Sequence, residues 1–162
     1  MADVSPYSAK LKTPFAVLGI RTAAGAVTGL AYLPAGERAM APTDVIAERA
    51  CRQLERYLDD PNFRFTVPLA ASGTPFRRRV WDALSTIPVG ESRTYGEMAR
   101  KLATAARAVG GACGANPIAL VIPCHRVVGS QGALGGFMGA TAGDPIAIKR
   151  WLLAHEGYRF GH

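Results

Sequence analysis

A change of hydrophobic period constrains this chain more than any other feature. Before the small, uncharged stretch Ala70-Ala71-Ser72-Gly73, apolar residues fall mainly into short runs broken by turn residues. After it they recur at helical spacing behind capping residues. Residues 15–21 and 27–33 are two such runs, separated by Thr22-Ala23-Ala24-Gly25, the pattern of a hairpin in a small antiparallel sheet. Thr43 or Asp44 can cap a helix running to about Leu58, with Val45, Ile46, Ala50, Leu54 and Leu58 near helical spacing. Cys51 lies one step off that apolar face and reads as structural. Asp59-Asp60-Pro61-Asn62 ends the helix, and the alternation over residues 63–69 predicts a further strand.

Beyond the linker the capping signals follow one another. Thr74 caps and Pro75 opens a helix through about Thr86, with Phe76, Val80, Trp81 and Leu84 toward the core. Thr94-Tyr95-Gly96-Glu97 fits a capping box and opens a short helix to about Leu102. Thr104 can cap another, from Ala105 to about Gly114, closed by Pro117. Asp144-Pro145 starts a last helix that ends at His155-Glu156-Gly157. The expected fold class is α+β with two lobes. Residues 1–72 form a small antiparallel sheet with a helix, and residues 73–162 a mainly helical domain. Two short helices joined by a tight turn suggest a helix-turn-helix in the second lobe. Its second helix is rich in small residues and carries one arginine, Arg107. Small residues let a helix come close to a duplex; they also let it pack tightly on a neighbour.

The net charge is +7, and 15 of the 19 basic residues are arginine. Residues 73–126 hold eight basic side chains against three acids, so most of the excess sits in the second lobe. A basic patch is the usual footprint of phosphate binding, although a solvated basic face gives the same count. The three cysteines, Cys51, Cys113 and Cys124, are an odd number without paired spacing. That argues against a disulfide framework or a zinc cluster and for a reducing, cytoplasmic setting. No apolar run approaches the ~20 residues that cross a bilayer. Met1-Ala2-Asp3-Val4-Ser5-Pro6 lacks the pattern of a secretory leader.

The chemistry concentrates in Ile122-Pro123-Cys124-His125-Arg126-Val127. A thiol reacts as thiolate, and a neighbouring imidazole can take its proton. The proline restricts the backbone just before the sulfur. A bare Cys-His pair is also compatible with a buried structural cysteine.

Four segments in unbroken order change that balance. They are Arg107-Ala108-Val109-Gly110, Asn116-Pro117, Ile122-Pro123-Cys124-His125-Arg126-Val127-Val128 and Leu152-Leu153-Ala154-His155-Glu156-Gly157. Together they resemble the O6-alkylguanine-DNA alkyltransferases, the methylated-DNA–protein-cysteine methyltransferases. The resemblance implies a monomeric repair protein, without metal or other cofactor, that binds double-stranded DNA through a helix-turn-helix in the minor groove. It would flip a damaged guanine out of the stack and move the O6-alkyl group irreversibly onto Cys124. His125 would be the base, acting through a water in the family, and Glu156 would orient and charge it. Asn116 would position the active-site loop. Tyr95 would help rotate the nucleotide and protonate the departing guanine, and Arg107 would fill the gap in the stack. Thr94, Ala105 and Ala106 would lie against the DNA, and Ser130 would bond the base or its backbone. Pro123, Phe137 and Met138 would form the alkyl pocket.

The chain also departs from the family pattern. Phe137 and Met138 stand where a tyrosine and a small residue are usual, and residues 140–144 lengthen the loop that follows. The link from Met98 to Arg107 is short, and Gly114 stands where some members carry a second arginine. Arg126 reads as tying the motif loop down, Cys113 as a bland position, and Arg77-Arg78-Arg79 as a solvated or phosphate-facing surface. An alternative reading is a lesion-binding protein of the alkyltransferase-like kind, which transfers nothing. Cys124 argues against it.

Overall fold

Residues 9–33 build a sheet because short runs of apolar residues alternate with tight turns. The computed structural model describes residues 5–139 and 143–160. Residues 1–4, which carry the expectation of no leader, and 140–142, in the lengthened loop, lie outside them. β1 (Ala9–Lys12), β2 (Val17–Ala23) and β3 (Ala26–Leu33) form an antiparallel sheet in that order. The β2–β3 turn is tighter than the sequence suggests. Ala24 and Gly25 alone make it, both in the left-handed region with φ 50° and 79°. β1 escapes sequence reading because its four residues show no period of their own; pairing with β2 makes it a strand.

α1 (Val45–Asp59) is capped by Asp44, whose carboxylate accepts from the Ala47 N–H at 2.8 Å. Thr22 of β2 donates to the other oxygen of Asp44 at 2.6 Å, which ties the cap to the sheet. Ala47, Ala50, Leu54 and Tyr57 are buried. Cys51 is buried with them, on the apolar face rather than beside it. Residues 63–69 are not a strand. The Gln53 side-chain oxygen accepts the Thr66 and Val67 N–H groups at 2.9 and 3.0 Å, and Pro68 has no N–H to give. Only Leu69 bridges to β3, at Val27.

The second compact unit begins at Gly73. α2 (Pro75–Leu84) has the Thr74 cap and the N-terminal proline, and ends two residues before the expected Thr86. Val80, Trp81 and Leu84 are buried, whereas Phe76 is half-buried. β4 (Arg93–Thr94) pairs in parallel with β5 (Val127–Val128), a two-residue ladder joining distant segments. α3 (Tyr95–Lys101) opens on the full capping box. Thr94 accepts the Glu97 N–H, and Glu97 accepts the Thr94 N–H, each at 3.0 Å.

α4 (Ala106–Gly114) starts one residue later than expected, and Thr104 does not cap it. Ala105 holds the cap position without a side-chain bond, while the Thr104 N–H is spent on the Ala99 carbonyl at 2.9 Å. Ala103, at φ 54°, turns the chain between the two helices. α2 holds both: Trp81 Nε1 donates to the Ala112 carbonyl at 2.8 Å, and Arg79 donates to the Leu102 carbonyl. α5 (Asp144–His155) closes the unit. Among the described residues no helix is long and apolar enough to cross a membrane.

Candidate active site

The chain from Asn116 to Arg126 is a set of turns, and one side chain organises it. Asn116 Nδ2 donates to the Ile122 carbonyl at 2.9 Å, and its Oδ1 accepts the Ile118 N–H at 3.0 Å. The loop is strained, since Leu120 sits at φ 93°. Residues 124–126 then form a single 3-10 turn that lifts Cys124 and His125 into the interior. Removing the clasp exposes that strain. Asn116→Ala is expected to lower stability by about 1–3 kcal/mol, read as a reduced urea midpoint.

Cys124 is 3% exposed. Burial pushes its thiol up to about 11, against the pull of the Asn116 side chain, the Lys149 charge and its own backbone N–H. At neutral pH the sulfur therefore rests as thiol and needs a base. His125 is wholly buried, and burial pushes its imidazole below the ordinary value despite Glu156. Its Nε2 lies 2.7 Å from Glu156 Oε2. Burial works to raise the Glu156 carboxyl, but hydrogen bonds and charges from His125 and Arg126 outweigh it and hold the group at about 2. An ionised carboxylate can only accept, so Nε2 carries the proton and Nδ1 keeps the lone pair. Nδ1 is buried and has no hydrogen-bond partner among the described residues.

Arg126 completes the anchor. Its Nε and Nη2 donate to the two Glu156 oxygens at 2.8 and 3.2 Å, and Nη1 donates to the Ile87 carbonyl at 2.6 Å. Glu156 caps the C-terminus of α5, where the helix dipole disfavours an anion. Arg126 supplies the compensating charge.

Cys124 opens on a cavity of about 420 Å³ within the second unit. One face of α4 forms its rim, where Ala106, Arg107, Gly110, Cys113 and Gly114 recur at helical spacing. Phe137 and Met138 also line the cavity, with Met138 at a left-handed φ of 52°. Tyr95, at the start of α3, packs against Gly135. A Cβ there would stand 2.6 Å from the tyrosine ring, so only glycine fits. The Tyr95 hydroxyl donates to the Gly136 carbonyl at 3.3 Å. Burial pushes it up to about 12, with both cavity thiols adding to the rise. It is a proton donor at neutral pH.

The structure brings together Cys124, Tyr95, Ala106, Arg107, Phe137 and Met138 at the cavity, with His125, Glu156 and Asn116 set around the motif turn. Thr94 serves as the α3 cap, and Ala105 is exposed beside the rim. Two of the expected site residues do not line the cavity. Ser130 is exposed in the turn closed by Ala133, whose N–H bonds the Ser130 carbonyl, and does not line the cavity. Pro123 is buried before the 3-10 turn and shapes the backbone, not the wall.

Two residues escaped sequence reading. Cys113 is not bland, because it lines the cavity beside Cys124. Burial raises its thiol to about 12, so it is an unreactive wall. Helical spacing from Ala106 and Gly110 is the signal that could have found it. Lys149 is entirely buried, and its Nζ donates to the Val127 and Gly136 carbonyls at 2.6 and 2.9 Å. Burial lowers its ammonium to about 8. Its spacing from Leu152 and Leu153 puts it on the apolar stripe of α5, a visible anomaly in the sequence. Among the described residues no cluster of three or more metal-ligating side chains occurs.

Residues 75–158 match the family model for the 6-O-methylguanine DNA methyltransferase, DNA binding domain. A Shigella flexneri methylated-DNA–protein-cysteine methyltransferase is 50% identical over 95 residues, covering 57% of this chain and 53% of that protein. The match thus spans about half the length of that relative. A Methanosarcina acetivorans protein of the same name is 47% identical over 110 residues, 67% of each chain. Among solved structures, Mycobacterium tuberculosis OGT in complex with DNA superposes with a TM-score of 0.77 and 39% identity, covering 91% of this chain and 90% of that one. The M. tuberculosis O6-methylguanine methyltransferase gives 0.75 and 36%, with 91% and 90% covered. These neighbours have the same two-lobe α+β fold.

Proposed function

Because this chain belongs to the 6-O-methylguanine DNA methyltransferase family, we propose that it repairs DNA by moving the O6-alkyl group of a damaged guanine onto Cys124. The observation that carries this reading is the buried Cys124-His125-Glu156 set, with Cys124 opening on a cavity rimmed by α4. The second lobe is the DNA-binding and active domain, with α3 and α4 as its helix-turn-helix. The small residues of α4 bring the rim close to the minor groove. Arg107 enters the stack where the lesion leaves it, and the flipped base fills the cavity. Flipping costs a few kcal/mol, least for a poorly paired, damaged base.

His125 Nδ1 takes the thiol proton, directly or through one water, and the Glu156 carboxylate stabilises the resulting imidazolium. The thiolate attacks the alkyl carbon in line, and the carbon–oxygen bond breaks toward the base. Tyr95 donates to the charge that develops on the leaving guanine. The thioether is not hydrolysed, so each molecule acts once, without a cofactor. Family membership, the basic lobe and the relative that binds DNA support double-stranded DNA as the partner. The free cysteines support work in a reducing compartment, the cytoplasm.

The test is direct. The protein is incubated with a duplex oligonucleotide carrying O6-methylguanine and the Cys124 peptide is weighed. One added methyl per molecule, with no turnover, is the expected result. Folded, DNA-bound protein without a methylated Cys124 peptide overturns the reading.

A further inference from the structure

One carbonyl at the cavity wall accepts from two side chains. The Gly136 oxygen receives the Tyr95 hydroxyl at 3.3 Å and the Lys149 ammonium at 2.9 Å. Lys149 also donates to the Val127 carbonyl of β5 at 2.6 Å, and its Nζ lies 5.7 Å from the centre of the Tyr95 ring. The lysine is 0% exposed, and among the described residues no carboxylate pairs with it. A buried ammonium held by carbonyls alone is costly, and a leucine or methionine would fill the space more cheaply. The arrangement asks what the charge does for its neighbours.

The answer lies in the count of protons. A phenol has one proton to give. While that proton points at Gly136, it cannot serve the leaving base. If Tyr95 were the sole donor to this carbonyl, turning the hydroxyl away would leave a half-buried acceptor without its partner. Lys149 removes that penalty, because the carbonyl keeps its shorter and stronger bond when Tyr95 lets go. We infer that Lys149 is a positioning residue that frees the Tyr95 hydroxyl for the departing guanine by holding the Gly136 carbonyl in its place.

This rests on the alkyl-transfer reading. In that reaction the sulfur–carbon bond forms, the carbon–oxygen bond breaks, and its electron pair stays with guanine. The proton that guanine gains through Tyr95 balances the one that His125 took from Cys124. Lys149 touches neither reacting atom.

A double-mutant cycle separates this role from simple support. Wild type, Lys149→Met, Tyr95→Phe and the double variant are each reacted at Cys124 with two electrophiles. One is an O6-methylguanine duplex, whose leaving base needs a proton. The other is iodoacetamide, whose iodide needs none. Expected is an excess slowing of methyl transfer over iodoacetamide by about tenfold for Lys149→Met when Tyr95 is present, vanishing in the Tyr95→Phe background. A lysine that merely stabilises the fold or the thiolate slows both electrophiles alike in both backgrounds, and that result overturns the inference. Should Lys149→Met melt below the assay temperature, Lys149→Gln replaces it, since its amide can still donate to one carbonyl. A smaller excess of the same pattern is then expected, and no excess again overturns it. Failure of wild type to accept methyl while still reacting with iodoacetamide overturns the alkyl-transfer reading, and this inference with it.

Discussion

Cys124→Ala is expected to abolish methyl acceptance while leaving the folded protein able to hold the lesion. The substitution removes one sulfur from a residue that is 3% exposed and lines the cavity. Its cost to stability is therefore small, on the order of 1 kcal/mol. The chemical loss is total, because no second nucleophile stands ready. Cys113 shares the cavity, but its thiol is raised to about 12, above that of Cys124. Peptide mass after incubation with methylated duplex reads acceptance, and a gel shift on the same DNA reads binding. Methylation appearing on Cys113 in the variant would show that proximity outweighs acidity here, contrary to the expectation.

Glu156→Gln is expected to reduce both the rate and the stability. The carboxylate sets the His125 tautomer and balances Arg126, and the glutamine that replaces it has no charge for either. Loss of a charged, oriented base costs roughly 10²–10³ in the rate of transfer. An almost buried arginine is left unpaired, at about 3 kcal/mol. Stability against pH gives the sharper test. The Glu156 carboxyl is held at about 2 in the fold, below its ordinary 4.5. Its contribution is complete above the ordinary carboxylate range and is lost as pH falls from there through about 2. The size is about 3 kcal/mol. His125 works in the same direction: kept neutral by burial, it refuses in the fold a proton that the unfolded chain accepts below about 6.5. Wild type should therefore lose stability on acidification more steeply than Glu156→Gln. Parallel profiles of urea midpoint against pH would sink the argument.

Much of this was open to reading from residue order. Thr74-Pro75 and Thr94 through Glu97 announce α2 and α3, since a cap is satisfied within three or four residues of itself. Thr104 shows the limit of such signals. Its hydroxyl is a good cap in isolation, yet a left-handed turn at Ala103 carries the start of α4 past it. Residues 63–69 failed for a related reason. Alternation marks a strand only when a partner edge is free, and the Gln53 side chain took the hydrogen bonds first. The parallel pair of β4 and β5 is too short to carry any period, so nothing local reveals it.

The order of motifs, the adjacency of Cys124 and His125, and the family were decided by sequence alone, because each rests on residues that are neighbours in the chain or on their succession. Packing decided the rest. Glu156 meets His125 across 31 residues, Arg126 reaches Ile87 across 39, and Lys149 meets Val127 across 22. These contacts fix the tautomer, withdraw Lys149 from water, turn Cys113 into the cavity and leave Ser130 outside it. Burial and long-range hydrogen bonds are properties of the closed chain, and no local propensity encodes which distant groups will share a low-dielectric site.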